Sequence, residues 1–278
     1  MPALIRIVLI IVSVLVLLLA GGWLGLQVKA SSFPAVEPGA APRLIPIPTG
    51  LPAPVERFAR AVYGESLPEI QSAMVLGRAQ LAPTGMPMPT RFRFYYDAAR
   101  SSHYHDIQVA WFNLTFMRIH ERNLEGHVKL DLSIIGQVDD VPKTNRAGIQ
   151  GYWGEALAWL PAVALTDPRV RWEAVDDTSA RLMLPGLDDV EAFTVRFDPA
   201  TGLLTEVETM RYQSEENPDR WRWFNRILAW DTVNGQRVPV RSQTQWREDA
   251  PWATWEVEQV VLNVDVSARL AQFGGDVP

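Results

Sequence analysis

A long uncharged stretch near the N-terminus constrains this chain more than any other feature. Residues Ile7 to Val28 are 22 consecutive positions without a charged side chain, and a helix of about 20 apolar residues crosses the core of a bilayer. We therefore predict that residues 1–30 form a single-pass transmembrane anchor in a bacterial cytoplasmic (inner) membrane. Because the large acidic part of the chain follows this helix, we expect that part to be periplasmic.

A cleaved signal peptide is the alternative interpretation of the same segment. Val28 and Ala30 provide small residues just before Ser31, where a signal peptidase would cleave. The uncharged stretch is longer than the roughly 7–15 apolar residues of a usual signal peptide, so we favour a retained anchor. Both interpretations export the rest of the chain.

Seven prolines follow the anchor between Ser31 and Pro54. Proline fixes φ and has no N–H to donate, so such a segment is extended and lacks helix or sheet hydrogen bonds. We predict a semi-rigid stalk at residues 31–54 and one folded extracytoplasmic domain at residues 55–278.

Composition excludes several classes of function. The chain has no cysteine, which excludes disulfides, thiol catalysis and cysteine-bound metals. Its net charge of −6 argues against a nucleic-acid partner, because that binding depends on Lys and Arg to neutralise phosphates. The sequence has no P-loop, dinucleotide-binding glycine motif or serine nucleophile motif. We predict no cofactor and name no catalytic residue.

Alternation of apolar and polar residues recurs along the exported part. Phe92, Phe94 and Tyr96 alternate with Arg91 and Arg93. This pattern gives a strand one apolar and one solvated face, as in antiparallel sheets. Similar patterns and turn residues predict strands at 107–111, 128–134, 170–175, 180–184, 190–197, 203–212, 238–247 and 254–261, with hairpin turns at 198–202 and 234–235.

A helical segment at residues 148–160 lies between two groups of predicted strands and is stopped by Pro161. It is apolar on nearly all sides, and such a helix is normally buried. A short amphipathic helix is also predicted at Val55 to Tyr63. Together these patterns predict a mainly β (α+β) fold, in which a curled antiparallel sheet, or open half-barrel, holds a buried central helix.

Two segments in this region resemble an uncharacterised bacterial family of membrane-anchored proteins. They are Gly151 to Pro161, which ends in Trp-x-Pro, and Val170 to Arg181, which contains the hairpin W-E-A-x-D-D-T-x-A. The family also shares a start like L-P-A-P-V, here Leu51 to Val55. The strand-rich architecture further resembles LolA/LppX-type lipoproteins and lipid carriers, and this resemblance implies a hydrophobic ligand.

Glu155 lies in the otherwise apolar central helix, where an unpaired carboxylate is costly. It therefore needs a partner, and Arg146, Arg171 and Arg181 are the candidates. Such a pair either stabilises the fold or holds the polar head group of a ligand.

Aromatic and acidic residues complete the predicted ligand site. The chain has 11 tryptophans, which either fill a core or line a cavity. Asp176 and Asp177 join two short strands, either as turn residues or as paired acids. The predicted ligand-binding residues are Trp153, Glu155, Trp159, Trp172, Asp176, Asp177 and Arg181.

Two histidines raise the question of a metal. His103 and His105 share one face of a predicted strand, beside Asp106. Catalytic zinc sites use three protein ligands, and the spacing fixes no third one here. We therefore predict no metal site.

Three functions are consistent with these patterns. The first, which we favour, is a membrane-anchored extracytoplasmic protein that binds or transfers a lipid or other hydrophobic ligand in a half-barrel cavity. The second is a non-enzymatic interaction or assembly module of the cell envelope, with a solid core and a protein partner. The third is a hydrolase that uses the carboxylates of Glu155, Asp176 and Asp177.

Overall fold

The computed structural model describes residues 3–133 and 135–274, so Ile134 of the predicted strand at 128–134, residues 1–2 and residues 275–278 lie outside the description. Within the described residues the α-helices are α1 Ala3–Gln27, α2 Ala53–Tyr63, α3 Pro142–Trp159, α4 Pro161–Thr166 and α5 Ser267–Ala271. The strands are β1 Leu44–Pro46, β2 Ser66–Pro68, β3 Ser72–Leu81, β4 Met88–Asp97, β5 Ser102–Trp111, β6 Leu114–Leu124, β7 His127–Asp131, β8 Gln137–Asp139, β9 Arg171–Ala174, β10 Ser179–Met183, β11 Phe193–Phe197, β12 Leu204–Tyr212, β13 Arg220–Val233, β14 Gln236–Trp246 and β15 Ala253–Leu262.

One large antiparallel sheet organises the described residues. Its 13 strands lie in the order β8-β7-β6-β5-β4-β3-β15-β14-β13-β12-β11-β10-β9. The pairing of β3 with β15 joins the first half of the chain to the second at the middle of the sheet. β1 and β2 form a separate two-stranded sheet. The predicted mainly β fold is confirmed.

The large sheet curls around α3. The helix contacts β7 near one edge and β12 towards the other. Eight strand spacings separate these strands in the sheet order, or about 38 Å in a flat sheet with strands about 4.8 Å apart. A helix with its side chains is only about 10–12 Å wide, so both contacts require a curved sheet. α3 lies in the concave face of this open half-barrel.

α3 begins earlier than predicted and ends where predicted, just before Pro161. It begins at Pro142, six residues before the predicted start at residue 148. Proline suits the first turn of a helix, where an N–H has no partner within the helix. For the same reason Pro161, which ends α3 as predicted, also begins the short helix α4.

Gly148 allows α3 to approach the sheet closely. A Cβ at this position would collide with the side chain of Val128 on β7. Further along the helix, the side chains of Tyr152, Trp153 and Leu157 are almost completely buried. The apolar side chains of α3 are therefore buried on most sides of the helix, as its sequence predicts.

The Pro-rich segment packs against the folded domain, first on the convex face of the sheet through Phe33 and Val36 and then on the main core through Ile45, Ile47 and Leu51. The backbone of Val36 bonds twice to the side chain of Gln259, over 2.9 and 2.6 Å. The guanidinium of Arg93 lies 4.3 Å from the ring centre of Phe33, and β1 pairs with β2. The segment predicted as a semi-rigid stalk therefore contacts the domain, and its residues Leu44–Pro46 form strand hydrogen bonds that the prolines were expected to prevent.

α1 is the apolar helix expected from the uncharged stretch. Its 25 residues are long and apolar enough to span a membrane by length and composition. Most of its large apolar side chains, such as Leu9 and Leu15, are exposed. Near its C-terminal end it contacts β5 of the folded domain.

The close contact at Gly148 gives a test of this packing. Gly148→Ala should lower the free energy of unfolding by about 1–3 kcal/mol, because the added methyl group overpacks the contact with Val128. Gly151→Ala is the matched control, since no atom lies within 4 Å of its added Cβ, and it should be neutral or stabilise by up to about 1 kcal/mol. Denaturant unfolding of both variants in detergent measures the difference, and equal effects would contradict the packing.

Candidate functional site

A cavity of about 280 Å³ lies between α3 and the concave face of the sheet. Three glycines of α3, Gly148, Gly151 and Gly154, line it. They are spaced three residues apart and so share one side of the helix. Glu155 is four residues after Gly151 and lies on this side too, but the three glycines have no side chains to fill the remaining space between the helix and the sheet.

Tryptophans form much of the apolar wall of the cavity. Trp159 comes from α3, while Trp223, Trp252 and Trp255 come from the second half of the sheet and the loop before β15. The rings of Trp159 and Trp255 are 6.3 Å apart and steeply inclined, and Trp159 also packs on Phe94. Aromatic walls of this kind are typical of sites for apolar ligands.

A cluster of polar side chains lies at the same concave face, where β4, β5 and β6 are neighbours. His103 and His105 alternate along β5 and therefore point to one side, with ring centres 4.2 Å apart. Glu121 on β6 is paired with His105 in the sheet register. Its Oε1 atom lies 3.0 Å from Nε2 of His103.

Glu155 connects α3 to this cluster. Its Oε2 atom accepts a hydrogen bond from the Tyr96 hydroxyl over 2.7 Å and lies 2.9 Å from Nε2 of His105. The prediction that Glu155 has a partner is therefore correct, but the partner is not an arginine. The predicted partners bind elsewhere: Arg146 to Glu191, Arg171 to Glu173, and Arg181 to the carbonyl of Asp189.

The groups of the cluster shift one another's pKa. Burial disfavours protonated His105, but the carboxylates of Glu155 and Glu121 outweigh burial and raise its pKa. Burial and the nearby His105 lower the pKa of His103. Burial also disfavours ionised Glu121, yet the His103 hydrogen bond and the positive charges of His105 and Arg211 lower its pKa to about 2. His105 is thus the histidine of the pair that takes up a proton first.

Arg211 brings a buried positive charge to the cavity wall. Burial lowers the pKa of its guanidinium to about 10, so it remains a cation at neutral pH. Its Nη2 atom donates to the carbonyl of Ala147 over 3.0 Å, and its guanidinium lies 4.8 Å from the ring centre of Trp223. Among the described residues, its Nε atom has no hydrogen-bond partner.

Two tryptophans at the wall also carry unpaired donors. In the described part of the chain, the indole Nε1 atoms of Trp159 and Trp252 are buried without a hydrogen-bond partner. Buried N–H groups are normally bonded, because an unsatisfied one costs about 1–3 kcal/mol. Together with Nε of Arg211, three unpaired donors therefore belong to residues that line the cavity, and each donor atom is itself buried.

The remaining predicted ligand residues lie outside this cavity. Trp153 is buried in the core, and the indole of Trp172 donates to the carbonyl of Ala164. Asp176 accepts hydrogen bonds from the backbone N–H and hydroxyl of Thr178, so it sets the hairpin turn. The other two residues are on the surface: Asp177 is exposed in the same turn, and Arg181 bonds to a backbone carbonyl.

Comparison of the sequence with protein families identifies one match. The profile of the family of unknown function DUF6544 matches residues 46–257. The chain belongs to the DUF6544 family. This agrees with the resemblance to an uncharacterised family seen in the sequence. No curated protein matches the chain.

Solved structures show distant similarity to this DUF6544 chain. One is a DUF1329 family protein from Desulfovibrio piger, with 10% identity, a TM-score of 0.47, and coverage of 78% of this chain and 94% of that one. Another is a LolA superfamily protein from Nitrosomonas europaea, with 11% identity, a TM-score of 0.43 and the same two coverages.

Sequence reasoning found part of this DUF6544 site. The helix pattern predicts Glu155 and Trp159, whereas His103 and His105 share a predicted face but are not among the predicted ligand residues. Glu121 lies on β6, a strand that the sequence patterns do not predict, and no local pattern shows that Arg211 faces the concave side. The missing information is the strand register, which brings Glu121 beside His105.

The low pKa of Glu121 predicts how stability depends on pH. A carboxylate with a folded-state pKa of about 2 and an ordinary value of 4.5 stabilises the fold above pH 4.5, and this stabilisation is lost as the pH falls towards 2. The loss should be at most about 3 kcal/mol. Glu121→Gln should remove this part of the pH dependence, measured as the free energy of unfolding between pH 7 and pH 2.

Glu65→Gln is the control for this measurement, because the Glu65 side chain is 86% exposed. It should leave the pH dependence unchanged, since exposed ion pairs contribute little to stability. The same pH slope in wild type and Glu121→Gln would contradict the placement of Glu121.

Proposed function

We propose that this DUF6544 protein is a membrane-tethered, extracytoplasmic binding protein for a small hydrophobic molecule with an acyl group at its polar end. The observation that carries the proposal is the cavity under α3. Its walls contain tryptophan rings, and three of its lining residues, Arg211, Trp159 and Trp252, carry unpaired N–H donors that are buried beside it. A hydrocarbon chain suits the rings, and the carbonyl or carboxylate oxygens of an acyl group are acceptors for the donors.

The size of the cavity limits the ligand. Its volume of about 280 Å³ is nearly twice that of a cavity of about 150 Å³ that holds one benzene. It is at the lower end of the range of about 300–1,000 Å³ for ligand pockets. The proposed ligand is therefore one medium-length acyl chain, free or as an ester, and not a lipid with several chains.

The tether is the second element of the proposal. α1 exposes apolar side chains along nearly its whole length, which is costly in water and favourable in lipid. We propose that it crosses the bacterial inner membrane and leaves the acidic domain on the periplasmic side. This position brings the cavity near a source of acyl chains.

The cavity also bears on the other two functions considered. An assembly module with a solid core does not need a space lined by unpaired donors. A hydrolase that uses three carboxylates would need Asp176 and Asp177 beside Glu155, but both lie in an exposed turn outside the cavity. Neither alternative is supported by an observation of its own.

Binding of three related probes tests the proposed ligand class. Decanoic acid and methyl decanoate should bind one molecule per chain and quench tryptophan fluorescence, whereas decylamine, whose polar end is a cationic donor, should bind at least tenfold more weakly. Mass spectrometry of gently purified protein should detect a co-purifying acyl compound. Absence of binding by both acyl probes, or tighter binding of decylamine, would overturn the proposal.

A pair of conservative variants locates the binding in the cavity. Trp252→Phe keeps an aromatic ring and removes one unpaired donor, so it should weaken decanoate binding by about threefold to tenfold, the range of one hydrogen bond. Trp172→Phe is the control, since the Trp172 indole bonds to a carbonyl outside the cavity. It should bind decanoate like wild type. Equal affinities of the two variants would contradict the assignment of this cavity.

A further inference from the structure

Two histidines and a glutamate at the concave face form a set of metal-ligand type. The imidazole nitrogens of His103 and His105 and a carboxylate oxygen of Glu121 all lie within 4.8 Å of one another. We propose that these three residues bind one divalent transition-metal ion of the zinc class. This inference goes beyond the proposed acyl binding and does not require it.

The sheet itself holds the three ligands together. His103 and His105 are two residues apart on β5, so both side chains leave the same face. Glu121 is the register partner of His105 on β6, and directly paired residues in an antiparallel sheet have Cα atoms about 4.5–5.5 Å apart. The backbone hydrogen bonds between β5 and β6 therefore fix the relative positions of the three Cα atoms.

The ligand types and spacing suit a catalytic-type zinc coordination. Two imidazoles and one carboxylate form one of the known three-ligand sets, with a fourth position left open. Ligand atoms about 2.1 Å from a tetrahedral zinc are about 3.4 Å from each other. Nε2 of His103 is already 3.0 Å from Oε1 of Glu121, so small rotations of the side chains bring the set together.

The surroundings favour a positive ion at this point. The cluster contains two carboxylates, Glu121 and Glu155, and both line the cavity together with His105. In the described residues Nδ1 of His103 has no hydrogen-bond partner. A proton moved from Nε2 to Nδ1 of His103, which frees Nε2 for a metal, therefore breaks no hydrogen bond at Nδ1.

The open position would face the cavity. His105 and Glu121 line the cavity wall, so the fourth ligand of the ion can be water or an oxygen atom of a bound molecule. In the second case the ion would add a Lewis acid to the acyl site, a point that rests on the proposed function.

Metal binding by the full-length protein in detergent tests this inference. After treatment with EDTA and removal of the chelator, wild type should bind one equivalent of Zn²⁺ in calorimetry, and Zn²⁺ should raise its melting temperature. His103→Gln and Glu121→Gln should each weaken binding at least tenfold. His127→Gln is the matched control, because His127 forms a comparable pair with Asp140 on the surface, and it should bind Zn²⁺ like wild type.

Each other outcome counts against the inference. No stoichiometric binding by wild type, or an equal loss in His127→Gln and His103→Gln, would show that the cluster is only a hydrogen-bond network. Melting temperatures measured in EDTA show whether each variant is folded. Decanoate binding in EDTA is measured separately, so failure of the metal site and failure of the acyl site are distinguishable.

A second inference comes from a different part of the molecule, the tip of the β5–β6 hairpin. Four large apolar side chains are exposed there: Trp111 at 40%, Phe112 at 42%, Leu114 at 70% and Phe116 at 51%. An exposed group of this kind normally marks a surface that meets another apolar phase.

Hydrogen bonds tie this tip to the end of α1. The Trp111 indole donates to the carbonyl of Gly22 over 3.1 Å, and the N–H of Phe112 donates to the carbonyl of Gly25 over 2.9 Å. Gly25 is packed so closely on Trp111 that a Cβ would collide with the indole. The tip is therefore fixed beside the last turns of the apolar helix.

The segment after α1 is held in the same way. The N–H of Ser31 donates to the Asn113 side chain over 2.6 Å, and the Asn113 amide donates to the Ser31 hydroxyl over 2.7 Å. Ala30, between α1 and these bonds, is 4% exposed. The chain thus passes from α1 to the domain without a free linker.

We infer that the hairpin tip inserts into the interface of the membrane that α1 crosses, beside the periplasmic end of that helix. The inference rests on the tether of the proposed function. Trp and Phe side chains are favoured at this depth, where apolar atoms meet lipid and the indole N–H is bonded. The domain would then have one fixed orientation on the membrane surface.

The absence of cysteine from the chain makes single-site labelling straightforward. Leu114→Cys carries an environment-sensitive NBD label in phosphatidylcholine nanodiscs, and Val190→Cys, at an exposed position of the domain, is the control. The label at position 114 should emit at shorter wavelength and be quenched by lipids with a doxyl group in the acyl chain. The label at position 190 should be unaffected.

Leu15→Cys, within α1, separates the two possible failures. Quenching at position 15 but not at 114 would overturn the docking of the hairpin and leave the tether intact. Quenching at neither position would overturn the tether and the docking together. Quenching at 190 as strong as at 114 would also contradict a specific insertion of the tip.

Discussion

Burial of α3 in the sheet is the constraint on which the rest of the structure depends. The helix carries large side chains such as Tyr152 and Trp153 that are almost fully buried, and a flat sheet would cover only one side of it. A sheet that curls around the helix covers the others. Gly148, Gly151 and Gly154 have no side chains to fill the space beside the sheet, so the packing that buries the helix also leaves the cavity.

The polar cluster depends on the same placement. A carboxylate in a cavity wall costs free energy unless donors reach it, and Tyr96 and His105 supply these donors to Glu155 from neighbouring strands. A shift of α3 by one turn, about 5.4 Å, would separate Glu155 from both donors. The cluster therefore fixes the position of the helix, while the helix completes the cluster. Glu155 therefore contributes both to the packing of α3 and to the hydrogen bonds of the site.

The sequence predicts the clearly alternating strands and leaves the others, and the neighbours of each strand, unpredicted, for physical reasons. Alternation and turn chemistry are local, so the hairpin at Asn234 and Gly235 and the alternating strands lie close to their predicted positions, whereas β3 and β6 are not predicted. The contact of Glu121 with His105 depends on register, which no short pattern encodes. Charge pairing is the simplest local rule, and it predicts an arginine as the partner of Glu155. In the fold Arg146 instead reaches a different buried carboxylate.

Strand β5 runs from the cavity to the hairpin tip beside α1, the two places that the proposals involve. It has Trp111 at the tip beside α1 and His105 at the cavity, six residues earlier, or about 20 Å along an antiparallel strand. Half of a bilayer core is about 15 Å thick, so an acyl chain of one leaflet is shorter than this distance and must leave the membrane to enter the cavity. With the tip in the interface, the cavity would be held at a fixed height above the membrane surface. A free stalk would lose this fixed height, which gives a physical reason for the hydrogen bonds that hold Ser31 to the hairpin.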